Sequence, residues 1–126
     1  YGQMVVDPKY DAEEFCKSTE PPTVELQAHS APLGLRFYDG GMFTEEYRGD
    51  LFVAYHGSWN RDVPTGYKVV RVNFRASEPI VEDFIIGWLV GEEKWGRPVD
   101  ILVGTDGSMY ISDDFAGVIY RVTYEG

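Results

Sequence analysis

The feature that most constrains this chain is a repeat. Gly49-Asp50-Leu51-Phe52-Val53 matches Gly107-Ser108-Met109-Tyr110-Ile111 in residue type, and Val69-Val70-Arg71-Val72 matches Ile119-Tyr120-Arg121-Val122. Leu33–Asp39 precedes a Gly turn as Val99–Asp106 precedes its own. Each unit reads strand, Gly-bounded turn, strand, loop, strand. A unit of roughly 45–60 residues that recurs in this order is the signature of β-propeller blades. A single blade cannot bury both faces of its sheet, so the repeat implies sheets stacked side by side.

The strands follow from period-two alternation. Leu51, Val53 and Tyr55 fall on one face, and Val70 and Val72 share a face with Phe74. The first unit is expected to supply strands at Leu33–Tyr38, Leu51–Tyr55, Tyr67–Phe74 and Ile80–Leu89. A charged loop at Gly91–Gly96 should follow. The second unit supplies Val99–Val103, Ser108–Ser112 and Val118–Tyr124. Thr23–His29 alternates as well, with Val24, Leu26 and Ala28 on one face, and is expected to be a spare strand. Residues 1–22 form an arm, and residues 23–126 form a two-blade unit. Within the arm, DAEEFCKSTE predicts about two helical turns, with Asp11 as N-cap and Glu14 three residues on.

Composition supports an all-β chain. Nine Tyr, seven Phe and three Trp, with 14 Gly and seven Pro in 126 residues, suit strands and turns. The net charge of −10 argues against nucleic acid or an anionic membrane as a general partner. Any anionic ligand needs a local basic pocket. A lone cysteine, Cys16, excludes an intrachain disulfide. No apolar run reaches the roughly 18 residues of a helical membrane span, and no signal peptide is read at the N-terminus.

The loop His56–Gly66 is the densest cluster of binding chemistry, since His56, Trp59, Asn60 and Arg61 crowd together there. Each residue has a plain reading beside a functional one. His56 and His29 can simply hydrogen-bond a turn. Trp59 can stack on a planar ligand or cap a channel. Arg97, between Gly96 and Pro98, can bind an anion or sit in a solvated ion pair. Asp113-Asp114 lacks the spacing of a calcium loop, so no metal ligand is assigned.

HSAPLGLRFY, EYRGDLFVAYHGSWNR, GYKVVRV, WGRPVDILVGTDGSMYISDD and GVIYRV resemble the C-terminal blades of the PQQ-dependent sugar dehydrogenases. The L-sorbosone and pyranose dehydrogenase branch is the nearer one, and soluble glucose dehydrogenase is more distant. The resemblance covers nearly all of this chain but only the last third or so of such an enzyme. It implies a six-bladed propeller with PQQ over the central channel, calcium nearby, and a secreted or periplasmic location. It places Arg97 at the first of two cofactor-binding arginines, with Val99 where the second would stand. It places the HGSWNR loop where a cofactor-binding lysine lies, so that Asn60 or Arg61 would serve. Ser112, Asp113 and Asp114 match a Thr-bearing contact region, where two carboxylates would not welcome an anion. The family's general base is a histidine from an early blade outside this chain, so no catalytic residue is assigned here.

Three functions stay open. The first is a binding module for a sugar or small anion, built on His56, Trp59, Asn60, Arg61 and Arg97. The second is part of an active PQQ-dependent sugar dehydrogenase. The third is a structural or interaction domain. Two blades leave open sheet faces, so self-association is expected, a homotrimer above all.

Overall fold

The computed structural model describes Lys9 and residues 13–126. Among the described residues, a short helix, α1 (Glu13–Lys17), precedes nine strands. These are β1 (Pro32–Phe37), β2 (Leu51–Tyr55), β3 (Lys68–Asn73), β4 (Ile80–Ile85), β5 (Leu89–Val90), β6 (Glu93–Lys94), β7 (Pro98–Val103), β8 (Met109–Asp113) and β9 (Val118–Val122). A 3-10 turn, Glu45–Tyr47, lies between β1 and β2. The strands form a four-stranded sheet β1-β2-β3-β4, a small β5-β6 hairpin and a three-stranded sheet β7-β8-β9. All pairings are antiparallel.

The repeat holds at the level of register. Leu51 opposes Val72, Phe52 opposes Arg71 and Val53 opposes Val70 in the first sheet. Met109 opposes Val122, Tyr110 opposes Arg121 and Ile111 opposes Tyr120 in the second. Because the side-chain period is two, equal register makes the faces equivalent as well. The face of the second sheet carrying Ile101, Ile111, Tyr120 and Val122 packs on the Phe52, Ala54 and Val69 face of the first, with Tyr38, Phe43 and Phe84 filling the seam. Aromatic edges tighten it: Phe52 and Phe84 meet at 4.6 Å between centroids, and Trp88 and Tyr120 at 5.4 Å. The first strands of the two sheets approach closely. At Gly34 in β1, a Cβ would stand 2.4 Å from the Asp100 Cα and 2.8 Å from the Val99 carbonyl, so only glycine fits there. Sheets packed face to face with their first strands converging give a propeller-like arrangement.

Three expectations are revised. Thr23–His29 is not a strand; it runs as irregular chain and turn. Its apolar face is nevertheless used, because Val24 and Leu26 pack over Val53, Tyr55, Val70 and Val72 on the outer face of the first sheet. Alternation reports a half-buried segment, and here burial comes without ladder pairing. His29 and Ala31, at φ 63° and 48°, bend the backbone out of extended geometry before β1. The segment therefore does not supply a fourth strand to the second sheet. The run Ile80–Leu89 divides in two, with Gly87 at φ 121° between β4 and Leu89. The expected charged loop Gly91–Gly96 is partly the β5–β6 hairpin, turning at Gly91. The Asp11 cap lies outside the described residues.

Candidate functional site

Pro32 pairs with Tyr55, and Pro98 with Asp113. The start of β1, the end of β2, the start of β7 and the end of β8 therefore lie at one end of the two sheets. The loops that carry His56–Gly66, Arg97 and Asp114 all leave from this end.

The His56 loop is fixed at its base. The His56 and Gly57 amides donate to the Ala31 and Ser30 carbonyls at 3.0 and 2.9 Å. Gly57, at φ 104°, lies under the Tyr67 ring, where a Cβ would stand 2.4 Å from the ring carbons. The Tyr67 hydroxyl donates to the Ser58 carbonyl. Ser58 and Thr65 close the loop. The Ser58 amide donates to the Thr65 carbonyl at 2.8 Å, and the Thr65 amide donates to the Ser58 Oγ at 3.0 Å.

Two of the sequence candidates meet across the seam. Arg97 Nη2 donates to His56 Nδ1 at 2.8 Å, and Arg97 Nε approaches the His56 carbonyl at 3.5 Å. The other imidazole nitrogen, Nε2, lies 2.9 and 3.1 Å from the two oxygens of Asp114. A guanidinium has no acceptor, so His56 Nδ1 must present its lone pair. The ring proton is then on Nε2, which donates to Asp114. The hydrogen bond from His56 holds the Asp114 carboxyl below its ordinary value against the cost of burial, and the Arg97 charge adds to it.

The remaining candidates form a neighbouring group. Trp59, Asn60 and Arg61 line a cleft of about 490 Å³ together with His29, Ala31, Pro32 and Ser58. Trp59 is 88% exposed, so its indole face is free for contact. The loop thus divides its chemistry. His56 turns inward to the seam, while Trp59–Arg61 stand at the cleft.

Sequence reasoning missed two features. Asp113 and Asp114, adjacent in sequence, have different partners. Asp113 is buried, accepting the Phe115 and Ala116 amides at 3.0 and 2.8 Å and the Tyr120 hydroxyl at 3.0 Å, so it is a turn anchor. Only Asp114 reaches the site. Lys94 on β6 is the other omission, since its ammonium lies 5.7 Å from the Tyr67 ring centroid and 5.8 Å from that of Phe115. Its position depends on the β5–β6 hairpin, which the Gly91–Gly96 run hid. Among the described residues, no cluster of three or more His, Cys, Asp or Glu is placed to hold a metal ion.

The profile of the TrAA12-like family matches residues 2–125, and the chain belongs to that family. An uncharacterized protein of Borreliella burgdorferi is 46% identical over 109 residues, covering 83% of this chain and 29% of that protein. The pyrroloquinoline quinone-dependent pyranose dehydrogenase of Coprinopsis cinerea is 31% identical over 123 residues, covering 80% of this chain and 16% of the enzyme. The holo form of that enzyme's PQQ domain superposes with a TM-score of 0.67 at 27% identity, over 88% of this chain and 31% of the domain. A Trichoderma reesei protein of carbohydrate-active enzyme family AA12, in iodide and calcium structures, gives a TM-score of 0.60 at 24% identity over 86% of this chain and 28% of its own, a likeness of fold. The chain thus spans less than a third of the length of each of these relatives. It is related to PQQ-dependent pyranose dehydrogenases through a shared β-propeller-like domain.

Proposed function

We propose that this chain supplies one wall of a PQQ site in a pyranose dehydrogenase-type propeller, acting as the binding segment and not as the source of the catalytic base. The observation that carries the reading is the meeting of Arg97, His56 and Asp114 at the seam of two sheets, beside the Trp59–Arg61 cleft. The donor set suits a planar tricarboxylate. Arg97 spends Nε and one Nη2 hydrogen on His56, and among the described residues its Nη1 edge has no protein partner. That edge can take a carboxylate. Arg61 and Asn60 add donors, and Trp59 offers an exposed aromatic face to a planar ring or a sugar. PQQ, when bound, supplies an ortho-quinone that accepts two electrons from an oxidisable sugar. His56 has both ring nitrogens engaged, so its role is to hold Arg97, and the proton acceptor for the sugar hydroxyl belongs elsewhere in the assembled enzyme.

The outer faces of the two sheets support a larger assembly. Ile119 is 70% exposed although its register equivalent, Val69, is fully buried in the seam; Leu35 is 57% exposed although its equivalent, Ile101, is 5% exposed. Such strips fit further sheets of the same register. Ring closure by three copies would cover both faces. A solution mass of one chain would instead assign the cover to sheets of a longer polypeptide.

The test of the cofactor reading is a PQQ titration followed by tryptophan fluorescence. Saturable quenching is expected, weakened about tenfold or more in Arg97→Ala, as for loss of a charge-assisted hydrogen bond. Absence of saturable quenching in the unsubstituted chain refutes the reading. Dye reduction on adding PQQ and a pyranose to this chain alone would refute the absence of a base.

A further inference from the structure

Asp114 poses a contradiction. An exposed carboxylate beside a site for an anion should repel that ligand, and removing it should improve binding. The geometry gives it another task. The hydrogen-bond chain runs in one direction only: Arg97 Nη2–H to His56 Nδ1 at 2.8 Å, then His56 Nε2–H to Asp114 at 2.9 Å. Both ends are set by chemistry, because a guanidinium only donates and a carboxylate only accepts. His56 is a rigid link, with 15% of its side chain exposed and its amide tied to the Ala31 carbonyl at 3.0 Å. Asp114 is 58% exposed, and the contact it makes is to a ring that in turn holds the arginine. It is anchored by its neighbour, since Asp113 closes the turn through the amides of Phe115 and Ala116.

We propose that Asp114 is a positioning residue which, acting through His56, fixes the Arg97 guanidinium in one orientation so that its Nη1 edge is held ready for a ligand carboxylate. This inference rests on the PQQ reading given above. The carboxylate does not touch the ligand. It keeps the imidazole ring from turning, and the ring keeps the guanidinium from swinging toward solvent. An arginine held before binding loses less rotamer freedom when its ligand arrives, and that gain outweighs repulsion from a carboxylate whose charge is already shared with a cation two hydrogen bonds away.

Two explanations of Asp114 predict opposite signs. As a positioning residue, Asp114→Ala weakens PQQ binding about tenfold. Asp114→Asn keeps an amide oxygen for His56 Nε2–H and stays within about threefold of the unsubstituted chain. As a repelling charge, both substitutions tighten binding, and that result overturns the proposal. A second readout needs no ligand. The Arg97 Nε–H resonance in a 15N-labelled chain is expected to be resolved in the unsubstituted protein and in Asp114→Asn, and to merge with the mobile arginine envelope in Asp114→Ala. An Arg97 resonance unchanged by Asp114→Ala overturns the proposal, whatever the ligand data show. If the unsubstituted chain fails to bind PQQ, the cofactor reading falls, and the Arg97 resonance alone decides whether Asp114 positions the arginine.

Discussion

The two ends of the stacked sheets use the same residue types for opposite purposes. At one end, Arg71 and Arg75 converge on Asp50, which is 2% exposed, with Arg71 Nε at 2.5 Å and Arg75 Nη1 at 3.1 Å. Most of their other donors go to backbone: both reach the Glu46 carbonyl, Arg75 Nη2 donates to the Arg48 carbonyl at 2.7 Å, and Arg71 Nη1 pairs with Glu82 at 3.6 Å. Tyr38 completes this end, donating to the Gly107 carbonyl at 2.7 Å and accepting the Met42 and Phe43 amides at 3.1 and 2.8 Å. At the other end, Arg97 meets a single histidine, and Trp59 and Arg61 line an open cleft. An arginine with both Nη groups engaged by its own chain, as in Arg71 and Arg75, stabilises; one with an Nη group left over can bind. The count of satisfied donors, more than the presence of charge, separates scaffold from site.

The comparison breaks most visibly at Asp50. Asp50→Ala leaves two guanidinium groups without their buried carboxylate and should cost about 3 kcal/mol or more of unfolding free energy in urea. Arg97→Ala, at the other end, should cost about 1 kcal/mol or less while removing most PQQ affinity. Equal losses of stability at the two sites would dissolve the distinction. Tyr38→Phe is an intermediate case. It keeps the ring, which stacks on Phe43 at 4.7 Å, and strands two amides and a carbonyl. A loss of about 2 kcal/mol is expected, with PQQ binding unchanged.

How much of this was readable before the structure depended on how local each signal is. The repeat was legible to the level of register, because Leu51–Val53 and Met109–Ile111 carry their face assignments in two-residue alternation. The Thr23–His29 segment carries the same alternation and is not a strand. Alternation encodes which side chains are buried, and it says nothing of whether the backbone finds a partner. Arg97 and His56 stood out singly through their neighbours in sequence, Gly96-Pro98 and Gly57-Trp59. Their contact crosses from one sheet to the next, which no spacing in the sequence expresses. The contact of Asp114 with His56 was hidden for the same reason. A carboxylate considered without its partner is only a negative charge, whereas one hydrogen-bonded to an imidazole that faces an arginine is a clamp. Asp113 shows that adjacent residues of one type can divide into anchor and clamp, because successive side chains at a strand end point to opposite sides.

The smallest expected effect probes the repeat itself. By register Ser108 stands where Asp50 does, and the carboxylate of the second unit's clamp comes from Asp106, two residues earlier. Arg121, in register with Arg71, donates to Asp106 at 2.7 Å and to Ser108 Oγ at 3.3 Å. Asp106 also accepts the Ser108 hydroxyl and amide at 2.6 and 3.0 Å. These bonds, those from Ser108 first and that from Arg121 next, lower the Asp106 pKa to about 2 from 3.8. A carboxyl depressed in the folded state contributes stability that is full above its unfolded pKa and is lost as pH falls through the folded one. The contribution should therefore fade between pH 3.8 and about 2. Unfolding of Asp106→Asn, compared with the unsubstituted chain, should show a difference above pH 5 that narrows across this window. The group is solvent-exposed, so the difference should be smaller than at Asp50. A difference that persists below pH 2 would mean that Asp106 acts through its shape in the turn, and the parallel with the buried clamp would then end at the register.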